Sequence, residues 1–560
     1  MNLKSLIASL TLSFVFFNAF SQVTLDLKER TKPLRTFNFR KISVNKNFIY
    51  NLGIDDKGEK SIYYIEKYNA STLDLEYQKD LKICEDDKSA LVHPLFVPPV
   101  CFESNGQVLA FYCGYNEDDK KVSVNVKTTN AQGDVNSKYI TLFSSKDIEV
   151  TLGGMYWNFI GYNKPVVSYY LSDDKKMVII EIDSPKFKKI YTYALSDLLA
   201  GKTEHKEIDI KTITETEKIV IIKCFYVNNT LSFAYTKKLS PNFSDFGIAV
   251  LDNKTTMFQF KNLGLSVNET FSLDFFTNST TNKIFITGYS RYLIDGKKSK
   301  IEKNTKENPL IGISNTKVKP FSVHFNFATM AFENKNEFDF IPAVAKLLTV
   351  PKTAYGFIDK EHTPDQYLEN TEIIESPNFY YSISNLLFGR GPYPTTMNAL
   401  NPTGLQNGGG GVTTVSRDIL VSKFDKTGKL VNQYLLPRHT GFNTMAGSRS
   451  GPVYGFANKQ RNFNYGLKGD DLHFLYLDNK KNIYTQAMEY DPKNTEKCTF
   501  ENGALIHMSI KGDKVEREML QEKEHNCYFY SSQNLMTGNE IILDLENGRK
   551  WSSVGRVIIN

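Results

Sequence analysis

The stretch Arg417–Arg438, RDILVSKFDKTGKLVNQYLLPR, predicts one β-hairpin. Two apolar arms flank the tetrapeptide Asp425-Lys426-Thr427-Gly428. An Asp begins such a turn by accepting hydrogen bonds from its own backbone, and Gly adopts the left-handed conformation that other residues resist. Apolar residues occupy both faces of each arm, so we expect the hairpin to be buried on both sides.

Six further segments repeat this pattern of an apolar arm, a short polar turn and a second arm. They lie at 62–81, 122–143, 177–195, 247–263, 310–325 (with its turn at Asn315-Thr316) and 505–520. A second strand pair precedes most of them, as at Val100–Gly114, Ile219–Tyr235 and Leu467–Asp478. Two hairpins per repeat give four strands, which is the size of one propeller blade.

The repeats predict an all-β protein, a β-propeller of about seven four-stranded blades with six or eight also allowed. A propeller leaves few exposed strand edges. A β-solenoid would need a shorter repeat, and stacked β-sandwich domains remain an alternative although no Pro/Ser-rich linker divides the chain. We expect Asn526–Asn560 to close the ring by pairing with the first strands. Helices are few and short, with candidates at Leu195–Gly201 and Glu337–Val350.

The N-terminus has the pattern of a secretory signal peptide over residues 1–21. Lys4 precedes the apolar run Leu6–Phe17, and Ala19 and Ser21 supply the small residues that signal peptidase requires. The alternative, a membrane anchor, is disfavoured because the run is short for a membrane span. Residues 22–560 are then one secreted or periplasmic propeller domain, expected to be a monomer without a transmembrane segment.

The composition argues against nucleic acid as a partner and does not decide whether the cysteines are oxidised. The net charge is only +6, with acids and bases interleaved, so nucleic-acid binding is not indicated. Six cysteines remain in the mature chain. Cys101 and Cys113 fall on opposite faces of a predicted hairpin, which disfavours a bridge between them. Cys498 and Cys527 are the better candidate disulfide.

Two irregular insertions, near 388–416 and 438–465, flank the Arg417–Arg438 hairpin. The first is rich in Gly, Pro, Asn and Thr and has no apolar period. A long structureless loop in a compact fold is usually functional or disordered. The two insertions therefore form either ordinary surface loops or a binding rim, whose speculative binding residues are Arg390, Tyr393, Arg449 and Tyr454.

The sequence contains none of the common catalytic or metal-binding signatures. The chain has no HExxH, GxSxG or Walker sequence, and no metal site or cofactor is predicted. The strand histidines His324, His473 and His507 are better explained as packed residues than as ligands. Paired carboxylates could hydrolyse a glycosidic bond, but sequence alone cannot place two across one cleft. The untested carboxylate candidates are Asp470, Asp471, Glu372 and Glu375.

A family resemblance covers the C-terminal part of the chain. The segments DILVSKFDKTGKLVNQYLLP, GDDLHFLYLDNKKN and MSIKGDKVEREML resemble the blades of uncharacterised exported β-propeller-like proteins of Gram-negative bacteria. The resemblance is clear over Asp418–Asn560 and loose before it. It implies a propeller-like fold and export, and it brings no activity with it.

Three functions follow as hypotheses. The favoured one is a non-enzymatic propeller at the cell envelope that binds a protein or a glycan. The main alternative is a carbohydrate-active hydrolase or lyase that uses the propeller's central pocket, and the third is a structural part of an envelope assembly. Fold alone does not choose among them.

Overall fold

The computed structural model describes most of the chain between Val23 and Asn560. The described ranges are 23–29, 38–56, 61–90, 99–148, 160–293, 316–345, 367–390, 412–444, 463–484, 503–522 and 528–560, apart from short gaps at 117, 162–163, 173, 185, 241–242, 256, 265–268, 279, 343, 439, 531–535, 538 and 548–550. The predicted signal peptide and the candidate disulfide Cys498–Cys527 lie outside the described residues.

The fold is a β-propeller of eight blades, each built around four antiparallel strands. Seven blades are contiguous in sequence. Blades 1 to 3 comprise β2–β5 (Asn38–Val44, Phe48–Asp56, Ser61–Asn69, Leu75–Asp80), β6–β9 (Val100–Ser104, Gln107–Asn116, Lys121–Thr128, Ile140–Ser145) and, after the small pair β10–β11 (Ile160–Gly161, Lys164–Pro165), β12–β15 (Val167–Leu171, Met177–Asp183, Lys188–Ala194, His205–Asp209).

The remaining contiguous blades follow the same order. Blades 4 to 7 comprise β16–β19 (Ile219–Val227, Thr230–Ser240, Phe243–Leu251, Phe258–Asn262), β20–β23 (Glu269–Asn278, Lys283–Leu293, Thr316–Asn326, Ala331–Glu337), β24–β27 (Tyr367–Glu375, Phe379–Arg390, Val412–Asp425, Leu430–Leu436) with the extra strand β28 (Thr440–Thr444), and β29–β32 (Phe463–Lys468, Asp471–Asn479, Gly503–Lys511, Lys514–Glu522).

The eighth blade, here called the closing blade, is assembled from both ends of the chain. Its strands are β33 (Tyr528–Tyr530), β34 (Met536–Thr537), β35 (Glu540–Asn547), β36 (Trp551–Ile559) and the N-terminal β1 (Val23–Glu29). Strand β1 pairs antiparallel with β36, from Val23 opposite Ile559 to Glu29 opposite Ser553. The predicted ring closure is therefore confirmed.

Eight blades replace the favoured number of seven, and the reason lies in this closure. Each of the seven predicted hairpins falls in a different contiguous blade. The closing blade contributes no complete repeat to the linear sequence because one of its strands comes from the N-terminus. A count of internal repeats therefore gives one blade fewer than the ring contains.

The predicted hairpins are largely confirmed. Five of them form the third and fourth strands of their blades, whereas Met177–Leu195 forms the second and third. The turn expected at Asn315-Thr316 is wrong, because Thr316 begins strand β22 and pairs with Leu293. The Cys101 register is confirmed opposite Ala110, and no disulfide joins Cys101 to Cys113.

Helices are short and peripheral in the described part of the chain. They are α1 (Ile83–Asp86), α2 (Leu195–Leu199), α3 (Lys211–Glu217) and the 3-10 helix Lys480–Tyr484. Helix α2 confirms the turn predicted at Leu195–Gly201. Of the second candidate, Glu337–Val350, residues 342, 344 and 345 are helical, Glu337 ends strand β23, and 343 and 346–350 lie outside the described residues. None of the described helices is long and apolar enough to cross a membrane.

The first strand of each blade lies toward the centre of the ring. The first strands of successive blades contact each other, as in β2 with β6, β12 with β16 and β20 with β24. The blades stack face to face through apolar clusters. Ile419 and Val421 of β26 pack against blade 7, and Phe424 packs against blade 5 through Phe285. The hairpin is buried on both sides, as its sequence predicts.

The turn of this hairpin is also a contact between blades. Asp425 Oδ1 accepts hydrogen bonds from the backbone N–H groups of Thr427 (2.9 Å) and Lys429 (3.0 Å). Gly428 has φ +84° and its carbonyl accepts a hydrogen bond from the Ser322 hydroxyl of blade 5. A Cβ at Gly428 would lie 3.1 Å from that hydroxyl and 3.3 Å from His324. Glycine is thus required both for its conformation and for the close approach.

Gly428→Ala is expected to destabilise the fold more than Gly201→Ala. Gly201 has a similar φ of +77°, but nothing lies within 4 Å of the position that a Cβ would take there, so only the left-handed backbone cost of about 1–2 kcal/mol applies. Gly428→Ala adds overpacking of about 1–3 kcal/mol. Urea unfolding of both variants measures the difference. Equal destabilisation would show that the turn does not dock on blade 5.

Removal of the closing contacts tests the ring. Ile541 is fully buried between the closing blade and blade 7, so Ile541→Ala is expected to cost about 2–5 kcal/mol. Val431→Ala is the control, because Val431 on β27 is 49% exposed and should change stability by less than about 0.5 kcal/mol. Deletion of Val554–Asn560 should abolish the single cooperative thermal transition. Retention of that transition contradicts closure by β36.

Candidate functional site

The two faces of the ring differ in how the strands are joined. The turns that join the first to the second strand and the third to the fourth lie on one face, here called the turn face. Several are only two or three residues long, including 45–47, 105–106, 228–229, 469–470 and 512–513. Asn45 and Asn69 side chains accept backbone hydrogen bonds in their turns, as Asp425 does. The turn face is therefore closed by compact, self-bonded turns.

The opposite face, here called the connection face, carries the connections between second and third strands and between blades. Blades 1 and 2 are followed by long connections at 81–99 and 146–166. Five more long connections leave from blades 5, 6 and 7, at 294–315, 338–366, 391–411, 445–462 and 480–502. Most of these residues lie outside the description, but the described strand ends fix the face from which they depart. Loops that carry function are typically presented by such a rigid scaffold.

The sheet of blade 6 continues toward the connection face with a change of outer strand. Residues Ile419–Phe424 of β26 pair with β27, whereas Val412–Ser416 pair with β28. The other side of β26 pairs with β25 as far as Arg390, opposite Thr413. The sheet therefore exchanges one partner strand and continues as β25–β26–β28 for about five residues, or about 16 Å. Strands thus enter both of the segments predicted as insertions.

A buried polar cluster anchors the root of this extension. Arg438 is wholly buried, and its backbone N–H donates to Asp418 Oδ1 (3.1 Å). Its guanidinium donates to Asn385 Oδ1 (3.0 Å) and lies 5.4 Å from the ring centroid of Phe463 in blade 7. A buried charge is tolerated only when it is paired and hydrogen-bonded. The cluster therefore fixes the point at which β26 changes partners.

The predicted rim residues are only partly placed. Arg390 is the last residue of β25, on the extension, and only its backbone is described. Tyr393, Arg449 and Tyr454 lie outside the described residues. The chain leaves β25 after Arg390 and leaves β28 after Thr444, so both predicted rim segments depart from the same three-stranded extension.

Four first strands carry a β-bulge, and a polar residue follows each one. The residues after the bulges are Ser43, Lys223, Asp274 and Glu372. Ser43 Oγ donates to Glu103 Oε2 of the next blade (2.8 Å). A bulge bends its strand and redirects the side chains beside it. In blades 1 and 4 this polar position contacts the following blade, through Ser43 with Glu103 and through Lys223 with Phe275.

Lys223 and Asp274 occupy this position in adjacent blades 4 and 5. Lys223 Nζ lies 5.6 and 5.8 Å from the ring centroids of Phe225 and Phe275, and the described structure gives it no ion pair. Asp274 Oδ1 accepts the N–H of Phe275 (2.8 Å), while its Oδ2 is buried without a hydrogen-bond partner. Unmet polar atoms of this kind are uncommon in folded proteins.

Asp274 and Glu372 are carboxylates at equivalent positions on the first strands of adjacent blades. They follow the bulges of β20 and β24, the first strands of adjacent blades 5 and 6, and these two strands contact each other. Glu372 was a candidate from sequence, whereas Asp274 was missed. Asp274 takes this position because of the bulge at Ser272 (φ +49°), and the bulge leaves no recognisable signal in the sequence.

Two of the other carboxylate candidates, Asp470 and Glu375, serve as ties between blades. Asp470 of blade 7 accepts hydrogen bonds from Ser376 Oγ (2.8 Å) and from the Asn378 backbone (3.0 Å) and side chain (2.7 Å) of blade 6. Burial opposes ionisation, but these hydrogen bonds together hold the pKa of Asp470 below its usual value. Glu375 accepts from Lys426 (2.8 Å) and from Asn278 of blade 5.

The three strand histidines are buried. His324 stacks beside Phe285 with ring centroids 4.9 Å apart, and burial lowers the pKa of its imidazole to about 4. His473 and His507 hydrogen-bond each other at 3.0 Å. Among the described residues, no group of three or more His, Cys, Asp and Glu side chains could hold a metal ion.

A cavity of about 180 Å³ lies at the outer edge of blade 5, against the neighbouring blade 4. Its polar side chains are already engaged. The Lys335 ammonium donates to the Leu263 carbonyl, and Glu337 accepts from Ser290 Oγ (2.8 Å). Lys335 and Glu337 are therefore already hydrogen-bonded within the protein and are not available to bind a ligand in the cavity.

Comparison with known proteins gives distant likenesses in fold only. No protein-family model matches the chain, and no curated protein matches it. Among solved structures, the β-propeller domain of the Trilobed protease from Pyrococcus furiosus has 8% identity and a TM-score of 0.29, with 74% of this chain and 97% of that chain covered.

Two further solved structures are similar to the chain at comparably low identity and TM-score. Phage phi92 endosialidase has 9% identity and a TM-score of 0.31, with coverage of 96% of this chain and 69% of that chain. TolB from Acinetobacter baumannii has 10% identity and a TM-score of 0.26, with coverage of 77% and 65%. At these TM-scores, none of the three carries an argument about function.

Asp470→Ala is expected to destabilise the protein by about 1–3 kcal/mol, because it leaves donors of Ser376 and Asn378 without their acceptor. Asp471→Ala is a matched control, since the described structure shows no hydrogen bond from the adjacent Asp471 side chain. It should change stability by less than about 0.5 kcal/mol. Thermal unfolding at neutral pH compares the two. Equal losses would contradict the assignment of Asp470 as a tie.

Proposed function

We propose that this protein is an exported β-propeller that binds a protein or glycan partner at the cell envelope through its connection face. The observation that carries the proposal is the asymmetry of the ring. Compact turns close one face, whereas the other bears the longest connections and the three-stranded extension of blade 6. A binding surface needs adaptable segments held on a fixed base, and this face has both.

The extension supplies the fixed base. The Arg438–Asp418–Asn385 cluster is buried where β26 changes partners, so the strands that carry the two predicted rim segments start from a defined position. The rim segments contain Arg390, Tyr393, Arg449 and Tyr454. Tyr and Arg are enriched among the residues that dominate binding energy at interfaces. This composition supports contact with a protein or with the faces of sugar rings.

Export and the mature N-terminus belong to the same proposal. Strand β1 begins at Val23, two residues after the predicted cleavage site at Ser21. A cleaved leader would therefore leave the whole of β1 available for ring closure. We infer a secreted or periplasmic monomer, and mass spectrometry of the exported protein tests it by locating the N-terminus at Gln22.

The binding test uses the mature protein with alanine at Arg390, Tyr393, Arg449 and Tyr454 together. Binding to a glycan array and to purified envelope proteins should weaken by at least about tenfold, since loss of one or two central anchors costs about 1.4 kcal/mol or more. A control variant replaces Tyr139, Lys254 and Met257, which are exposed side chains away from the extension. Its affinities should equal those of the wild type.

Two outcomes contradict this assignment. In one, the fourfold variant keeps every measured affinity. In the other, the control variant loses affinity to the same extent, which would move the binding surface away from the connection face. Circular dichroism of both variants confirms that the fold is retained before affinities are compared.

A second candidate, hydrolysis of a carbohydrate at the centre of the ring, is favoured by Asp274 and Glu372. Two carboxylates on adjacent first strands are the minimum set for glycosidic hydrolysis. Asp274→Asn and Glu372→Gln should each reduce hydrolysis of a chromogenic glycoside panel by more than about 100-fold if this function holds. Absence of wild-type turnover on the panel, with glycan binding intact, favours the binding function instead.

A further inference from the structure

Three polar side chains, two of them buried histidines, form a hydrogen-bonded chain across blade 7. Glu518 Oε1 lies 2.9 Å from His507 Nδ1, and His507 Nε2 lies 3.0 Å from His473 Nδ1. The two imidazoles are 1% exposed, whereas the Glu518 side chain is 27% exposed. The chain therefore leads from the solvent at the outer strand β32 to the buried second strand β30.

The hydrogen bonds assign the position of each proton. A carboxylate can only accept, so His507 Nδ1 carries a hydrogen and donates it to Glu518. The neutral His507 then accepts at Nε2, and His473 donates from Nδ1. His473 Nε2 is left as a bare acceptor, and it is buried without any hydrogen-bond partner. Uptake of a proton by these three side chains would place a hydrogen on His473 Nε2, which has no hydrogen-bond acceptor.

The chain shares its face of blade 7 with the residues that hold the closing blade. Side chains two residues apart on a regular strand point to the same face, as do those of directly opposed residues. His473 therefore shares a face with Leu475, which lies opposite His507, and His507 lies opposite Glu518. Leu475 and Leu520 pack against Val23, Leu25 and Leu27 of β1 and against the neighbouring closing-blade side chains. The histidine chain and the seat of the N-terminal strand are therefore the same surface.

Among the closing-blade side chains that the structure describes, none of those directed toward this surface is charged. Glu29, the next residue of the same alternation on β1, has only its backbone described. The alternation of β1, β35 and β36 directs Val23, Leu25, Leu27, Ile541, Leu543, Val557 and Ile559 toward blade 7. Arg556 instead points toward blade 1, where it bonds Asp26 and the Ala70 carbonyl. Two positively charged groups of its own blade, Lys468 and Lys511, disfavour protonation of His473. The carboxylate of Glu518 lies farther away, on the other side of His507.

Hydrogen bonds between blade 7 and the closing blade are sparse within the described part of the chain. Asn464 Nδ2 donates to the Ile542 carbonyl at 3.4 Å. By contrast, the seam between blades 5 and 6 has the hydroxyl pairs Thr287–Ser382 (3.1 Å) and Tyr289–Ser384 (2.7 Å). The seam beside the histidine chain therefore depends mainly on aliphatic packing against blade 7.

We propose that the Glu518–His507–His473 chain makes the closing blade the acid-sensitive part of the ring, so that uptake of a proton releases β1 before the other blades open. Burial and the neighbouring His507 and lysines lower the pKa of His473 to about 3 from its usual 6.5. Release of the seam exposes the imidazole to water and restores the usual value. Closure is therefore fully stabilised above pH 6.5 and loses that stabilisation as the pH falls toward 3.

Amide hydrogen exchange of the mature wild-type protein tests the proposal, with rates corrected for the intrinsic pH dependence of exchange. The two pKa values predict that opening of β1 and β36 increases about 30-fold between pH 7.5 and pH 5. Strands β7 and β8 of blade 2 serve as the internal reference and should keep their protection. His473→Leu cannot take up a proton, so its β1 opening should change by less than about threefold over the same range.

A matched variant separates the seam from general acid sensitivity. His324 is also a buried histidine with a lowered pKa, but it lies at the seam between blades 5 and 6. His324→Leu should leave the acid response of β1 unchanged. If His473→Leu does not fold, His473→Gln, which is polar and does not titrate, replaces it.

Three results overturn the proposal. They are a β1 opening that does not respond to pH in the wild type, a response that persists in the His473 variant, and a response of equal size in blade 2. Loss of the response in His324→Leu would likewise show that acid acts on the whole ring. None of these results bears on the connection face, because the binding test is made at neutral pH.

Discussion

The antiparallel pairing of β1 with β36 is the constraint on which the whole ring depends. Seven blades follow one another along the chain, but they enclose a centre only when the eighth is completed by seven residues from the other end of the sequence. Arg556 reinforces this pairing by bonding Asp26 of β1, Glu540 of β35 and the Ala70 carbonyl of blade 1. One side chain thus links both chain ends to the next blade.

The seams between blades use different chemistry, and this difference organises the molecule. Blades 5, 6 and 7 are joined by hydrogen bonds from turns as well as by apolar packing. Asp470 bonds the turn of blade 6, and Gly428 receives a hydroxyl of blade 5. These three blades also carry five of the long connections. These hydrogen-bonded seams therefore lie beneath connections that are long and irregular in sequence.

Much of the fold could be predicted from the sequence because its hairpins are local. The turn Asp425–Gly428 contains both the side chain that caps it and the glycine that it needs, so its position is readable from four residues. The closing blade could be foreseen only in part, since it joins residues more than 500 positions apart. Its contribution to the blade count was missed for that reason.

The candidate site was less predictable. Arg390 is placed on the extension, but the extension itself arises because β26 changes partners near Asp418, and a long strand does not reveal such a change. Asp274 depends on a bulge, and His473 depends on the tautomer of a histidine 34 residues away. These features are set by tertiary neighbours, whereas sequence patterns report mainly on a residue's own strand.

The closing blade also has a consequence in time. Strand β1 precedes every other described strand, whereas its partner β36 follows all of them, so β1 is synthesised long before the strand with which it pairs. Seven blades can form in order as the chain emerges, while β1 waits unpaired. Throughout that interval both termini are unpaired strand edges, which readily pair with other chains. The edge of β1 is therefore open to pairing with other chains until β36 has been made.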